Sequence, residues 1–276
     1  MVDASGDLEA RVRDLTAENE RLRAGDRPRS VWRSALVVLL LALTIAVYVV
    51  GDLARPGSTL FAAVRAVLQL GAAALVITAV VRNLLLSVLL LVVMFVVAVF
   101  TTVRRIEAPR AWPWATAAMA AGLLPVVAVV LLTRTIPPEG IALIPVVGIL
   151  AGNTMNGHTL TCRRAFTALR EEHSQYEAAL SLGLTRSQSI AEVVHRRVPE
   201  ALVPGLDQVR TAGVVTLPGA FIGVLLGGGT PAQAAAAQVL VLVGIMAAQT
   251  TTAVVAERLI REARLLPDDL KVSLRP

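Results

Sequence analysis

Lysine is almost missing from this chain. Of its 26 basic residues, Lys271 alone is lysine and the rest are arginine. A phosphate-binding P-loop needs G-x-x-x-x-G-K-[ST]. Leu270 precedes the one lysine, so the chain carries no such loop. Charge is scarce as well: 17% of residues are Asp, Glu, Lys or Arg, where a soluble domain carries roughly 25%. With one cysteine, Cys162, no intramolecular disulfide can form. H-E-x-x-H and G-x-S-x-G are absent, and the apolar stretches hold no carboxylate cluster, which speaks against a membrane enzyme. His158, His173 and His195 all lie at or after the fifth apolar stretch, and no acid partner is evident for any of them. The first 30 residues are polar, without the apolar core and small-residue cleavage site of a signal peptide.

What fills the chain is hydrophobic, at 55% of residues. Residues 34–50, 66–81, 84–103, 112–132, 141–160, 213–228 and 232–256 are nearly free of charge. A helix needs roughly 20 apolar residues to cross a bilayer, and runs that do not alternate exclude a β-barrel. The expectation is an all-α polytopic membrane protein with about seven transmembrane helices. Trp112 and Trp114 suit a membrane interface, and arginine marks the cytoplasmic side, so the basic balance does not imply nucleic acid. Arg163, Arg164, Arg170, Arg186, Arg196, Arg197 and Arg210 place the long wet segment 161–212 inside. Arg104, Arg105 and Arg110 do the same for their connector, as do Arg258, Arg261 and Arg264 for the C-terminus; outside remain little beyond Arg82 and Arg134. The alternation then puts residues 51–59 inside and the N-terminus outside, whereas Arg27, Arg29 and Arg33 favour the reverse for the first span.

Three regions are expected. Residues 1–30 form a polar tail in which Leu8, Val12, Leu15, Asn19 and Leu22 trace a short heptad seam, either a coiled coil or a frayed helix. Residues 31–260 form the membrane domain. Residues 261–276 form a cytoplasmic tail ending in a loose polar segment.

Within the wet segment, Phe166, Leu169, His173, Tyr176 and Leu180 share one helix face. Gly183 supplies a helix C-terminus, and Thr185 with Gln188 forms a capping box that starts a second helix. That helix has its own stripe of Ile190, Val193, Val194 and Val198. Residues 164–198 therefore read as helix, elbow, helix. The stripe either rests on lipid or on its own protein, or docks in a partner's groove, with Ile190 and Val194 seated there.

Polar groups within spans mark function by default. Arg65 and Gln69 lie one turn apart, either snorkelling to the interface or packing against a neighbour. Gln238 and Gln249 share a face of the last span. Leu217-Pro218-Gly219 allows a kink, and broken helices can line a substrate path. His158 and Cys162 are i, i+4 neighbours able to ligate a borderline-soft metal, or simply a packed helix end.

Glu177-Ala178-Ala179, with Gly183 beyond it and Val193 ten residues further, resembles the EAA loop of ABC-transporter permeases. The usual Leu-Pro ending would fall at His195-Arg196 and is absent. A narrower resemblance fits better. Arg65-Ala-Val-Leu-Gln69-Leu, Gly152-Asn153-Thr154-Met155, Leu182-Gly183-Leu-Thr-Arg-Ser-Gln188 and Leu217-Pro218-Gly219 with Gly223 are similar to the FetB-type permeases, the bacterial iron-export permease family, over roughly residues 36–260. The resemblance implies a homodimeric, multi-pass permease in a bacterial plasma membrane. It is energised by a separate ABC ATPase that binds ATP and Mg, with no cofactor on this chain. It implies coupling through Glu177, Ala178, Ala179, Gly183, Thr185 and Gln188, and a path near Arg65, Gln69, Asn153, Met155, Pro218, Gly219 and Gln238. Metal-cation export is the implied task, although Ala220 and Phe221 stand where family members often carry methionines, and plant members are tied to aluminium tolerance. A non-energised scaffold or receptor assembled through the N-terminal seam is the alternative.

Overall fold

The computed structural model describes residues 35–51, 56–133 and 137–274. The heptad seam and Arg27, Arg29, Arg33 and Arg134 lie outside them. Two compact units divide the chain, Met1–Val76 and Ile77–Pro276.

In the first unit, α1 spans Ala35–Val50 and α2 begins at Pro56 and runs to Val80. Both are apolar nearly all round, and most of their large side chains are exposed, as expected of surfaces that meet lipid or another helix. The second unit holds α3 (Leu84–Arg105), α4 (Trp112–Leu132), α5 (Gly140–Glu171), α6 (His173–Ser181), α7 (Arg186–Val194), α8 (Val198–Thr211), α9 (Gly219–Leu226), α10 (Pro231–Arg261) and α11 (Asp268–Ser273). No strand occurs among the described residues; Ala212 and Thr216 make one isolated bridge.

The helix ends follow local chemistry. Asn83 caps α3, its side chain accepting from the Leu86 N–H at 3.2 Å. Arg104 and Arg105 sit in the last turn of α3, where cations complement the helix dipole. Pro231 occupies the first turn of α10 behind a Thr230/Gln233 capping box, a signal that the Gly227–Pro231 turn hid in the sequence. α10 packs on α4 and α5, and α5 packs on α3. Small residues set these approaches: a side chain on Gly122 of α4 would overlap Thr252 and the Ala248 carbonyl of α10.

Among the described residues, five helices are long and apolar enough to cross a membrane: α2, α3, α4 (with the preceding turn), α5 and α10. α1 is apolar but shorter among the described residues. The stretch expected as a sixth span, 213–228, is not one helix. α8 stops at Thr211, the chain turns through Gly213 at φ +82°, and α9 restarts at Gly219 for eight residues. The expected kink at Leu217-Pro218-Gly219 is thus a complete break, with Pro218 extended as the residue before α9.

α5 also departs from expectation. It does not end at residue 160 but continues to Glu171, 32 residues in all and about 48 Å long, beyond a hydrocarbon core of roughly 30 Å. A buried stripe including Leu150, Thr154, Cys162, Phe166 and Leu169 holds it along the body.

The largest core lies at the arginine-rich end. It joins the end of α3, the start of α4, the last turns of α5 and α10, and Tyr176, Ile190, Val194, Leu265, Leu266, Leu270 and Leu274. The C-terminal segment is therefore not loose. Its four leucines are each no more than 2% exposed, and burying a leucine contributes roughly 1.5–3 kcal/mol. Arg170–Asp269 and Arg110–Asp268 ion pairs, both at 2.8 Å, flank α11, and the Arg264 guanidinium lies 4.8 Å over the Trp114 ring.

Candidate functional site

The elbow between α6 and α7 is built from the residues that the spacing singled out. Gly183 adopts φ +86°, which a side chain resists. The Gly183 N–H donates to the Leu180 carbonyl at 2.9 Å and the Leu184 N–H to Ala179 at 3.1 Å, the paired bonds of a Schellman ending. Thr185 and Gln188 then close the capping box: the Thr185 hydroxyl accepts from the Gln188 N–H, and the Gln188 side chain from the Thr185 N–H. At the tip, Leu182 is 82% exposed, and Glu177, Ala178, Gly183, Thr185 and Gln188 are exposed around it. Ala179 is buried.

Ile190 and Val194 are corrected. Both are 0% exposed and belong to the chain's own core, so they cannot seat in a partner. The amphipathic stripe of α7 is spent on holding the elbow to the body. A partner would read the opposite side and the tip.

Polar side-chain contacts reinforce that attachment. His195 meets Glu257 of α10 at 2.9 Å, at the position where a Leu-Pro ending would stand. Arg197 pairs with Glu172 at the α5–α6 junction and with Glu200 at 3.1 Å, and these carboxylates raise the Arg197 guanidinium above its ordinary pKa. His173 lies 3.5 Å from Glu177. Two of the three histidines thus have a carboxylate nearby; the His173–Glu177 pair was legible as an i, i+4 spacing, and the His195–Glu257 pair, 62 residues apart, was not.

Above the elbow, a polar groove of 410 Å³ opens between α5, α8 and α10 beside the end of α3. Asn153, Asn156, Leu160 and Arg163 lie at 3- and 4-residue spacing on α5, and Arg105, Gln208 and Gln249 join them from α3, α8 and α10. The Gln249 amide donates to the Asn153 carbonyl at 3.1 Å, and Asn153 itself donates to Ile149 at 2.9 Å. Gly205 lets α8 close on Gln249, since a side chain there would collide with the Gln249 oxygen. Arg163 donates twice to the Arg105 carbonyl, at 3.1 and 2.9 Å.

A second cavity, of 350 Å³ and mostly apolar, sits at the break between α8 and α9. Pro218, Phe221 and Gln238 line it. Gln238 is buried, and its side-chain oxygen has no hydrogen-bond partner. Along α10 the two glutamines stand about 16 Å apart, one at each cavity.

Met155 packs on the core. Gly219 opens α9. Arg65 and Gln69 are exposed on α2 in the first unit. His158 and Cys162 are brought together, sulfur to ring nitrogen at 3.8 Å, and both are 0% exposed. His158 Nδ1 is also 3.0 Å from the Thr102 hydroxyl, which bonds Thr159 at 2.7 Å. Among the described residues no three His, Cys, Asp or Glu side chains gather as a metal site.

Comparison with known proteins places this architecture. The model of the uncharacterised protein family UPF0014 matches residues 31–264. The UPF0014 membrane protein STAR2 of Oryza sativa subsp. japonica is 30% identical over 234 residues, 81% of this chain and 82% of its own. Protein ALUMINUM SENSITIVE 3 of Arabidopsis thaliana is 28% identical, covering 80% and 81%. The "Probable iron export permease protein FetB" of Escherichia coli (strain K12) is 30% identical over 129 residues, 47% of this chain and 50% of its own. No solved structure matches.

Proposed function

Since the chain belongs to the UPF0014 family, we propose that it is the membrane permease of an ABC exporter, acting as a homodimer in a bacterial plasma membrane. Its relative FetB is named a probable iron export permease protein, which supports a metal as cargo. ATP, with Mg, is hydrolysed on a separate ATPase; this chain is a transport subunit and not an enzyme.

The observation that carries the reading is the elbow. A glycine turn presents exposed Leu182 while the stripe behind it is locked into the core. Such a tip can enter a groove of a partner without loosening the helices that bear it. ATP-driven movement of the partner would displace α6 and α7, and through His195–Glu257 and Arg197–Glu172 it would reach α10, α5 and α8. These three helices frame the polar groove, so the elbow's motion would open or close it, by alternating access.

The test is ATP-dependent iron accumulation in inside-out vesicles carrying this chain and an ABC ATPase co-expressed with it from the same organism. Uptake that is abolished by Gly183→Pro, with the ATPase still bound to the wild-type chain, is the expected result. Uptake indifferent to ATP and to the elbow would refute the coupling.

A further inference from the structure

We infer that the polar groove receives its solute as an oxygen-rich anion, so that a metal reaches it as an anionic hydroxycarboxylate chelate and not as a bare cation. This deepens the transport reading and rests on it.

The lining carries the inference. The lining residues include Arg105 and Arg163 with Asn153, Asn156, Gln208 and Gln249, and no Asp, Glu, Cys or His lines the space. A hard cation is held by carboxylates and carbonyls, and the positive charge of Arg163, with Arg105 beside it, would repel it. The ion pairs of this end lie elsewhere, at Arg164–Glu200, Arg170–Asp269 and Arg197–Glu172. Among the described residues, none reaches Arg105 or Arg163. Arg163 is held in place by its bonds to the Arg105 carbonyl, so its charge is positioned and not neutralised.

Size agrees. A space of 410 Å³ falls within the range of small-molecule sites, roughly 300–1,000 Å³, and is far larger than the shell of one ion. An adjoining cleft of 340 Å³ shares Leu160 and Arg163 and adds Glu171 and Glu200 together with Arg164 and Arg197. There Glu200 is already paired, at 3.1 Å with Arg197 and 3.9 Å with Arg164. Arginine excess therefore continues along the approach. Guanidinium and amide donors suit carboxylate or phosphate oxygens.

The same oxyanion chemistry is offered by an anionic lipid headgroup, and the experiment separates the two sources. The full chain, without any ATPase, is placed in phosphatidylcholine nanodiscs and given ferric citrate labelled on iron and on citrate. The expected result is retention of both labels together, weakening as salt is raised, with ferrous iron alone not retained. The Arg105→Gln/Arg163→Gln double variant should lose at least about tenfold in affinity, and Arg105→Lys, which keeps the charge, should retain binding. Replacing part of the lipid by phosphatidylglycerol should leave retention unchanged. Equal retention of ferrous iron alone, or indifference to the double variant, overturns the proposal. So does displacement of the chelate by phosphatidylglycerol, which would make the groove a lipid seat. Because no ATPase is present, failure here is distinct from failure of coupling through the elbow.

Discussion

The phenolic hydroxyl of Tyr176, on α6, donates a 2.9 Å hydrogen bond to the backbone carbonyl of Leu274, 98 residues further along the chain. Beside it, His173 Nε2 is 3.3 Å from the Ser273 carbonyl. The C-terminal segment thus grips the helix that carries the elbow. Tyr176→Phe leaves the Leu274 carbonyl without its donor and should cost about 1–3 kcal/mol. Leu270→Ala, at a fully packed position, should cost about 2–5 kcal/mol. Thermal unfolding in detergent reads both, and limited proteolysis should show the C-terminus released first.

The Arg170–Asp269 pair makes that grip depend on acid. The hydrogen bond from Arg170 holds the Asp269 carboxyl below the usual carboxylate range. A depressed folded value gives stability that is present above the unfolded pKa, about 3.9. It is lost as pH falls through the folded value. The segment should therefore stay docked through neutral and mildly acid pH and loosen only below about pH 4. Both side chains are partly exposed, so the effect is small. In Arg170→Gln the folded and unfolded values converge. Unfolding midpoints measured across pH should then be lower at neutrality and flatter through the acid range.

Gly183 separates conformational strain from crowding. Nothing lies within 4 Å of where its side chain would stand, so Gly183→Ala pays only for its left-handed backbone, about 1–2 kcal/mol. Gly183→Pro also loses the N–H bonded to Leu180 and cannot reach a positive φ. Hydrogen exchange should show loosening confined to α6 and α7 in the alanine variant and loss of the elbow in the proline variant.

Gly122 is the opposite case. Its side-chain position is occupied by Thr252 and the Ala248 carbonyl, so Gly122→Ala must push α4 from α10 and should cost about 1–3 kcal/mol. Gly152→Ala, on α5 with open space around it, should be neutral or stabilising by up to about 1 kcal/mol. Unfolding of the two variants side by side checks whether close helix contact, and not glycine content, matters.

Local signals were legible and destinations were not. The apolar runs marked the helices, and Gly183, Thr185 and Gln188 marked the elbow, because turns and caps are written within a few residues. The stripe of Ile190 and Val194 was visible, but a stripe does not name the surface that it meets, and here it meets its own core. Residues 213–228 read as a span because composition is blind to a positive φ at Gly213 and an extended Pro218. Leu265, Leu266, Leu270 and Leu274 passed for part of a polar end, since charges surround them. The groove joins residues from 105 to 249, and no local pattern reports such a meeting.

α5 runs without a joint from the groove to the elbow. Asn153 and Glu171 stand about 27 Å apart on one stiff member. A displacement delivered at the elbow end would be carried to Asn153 along one continuous helix. The 212–218 segment is of another kind: it lies between α8 and α9 in no helix, tied by the Ala212–Thr216 bridge and the 2.8 Å bond from the Gly213 N–H to Thr216. Set against the rod of α5, it is a short knotted cord, and bending between α8 and α9 would fall there first.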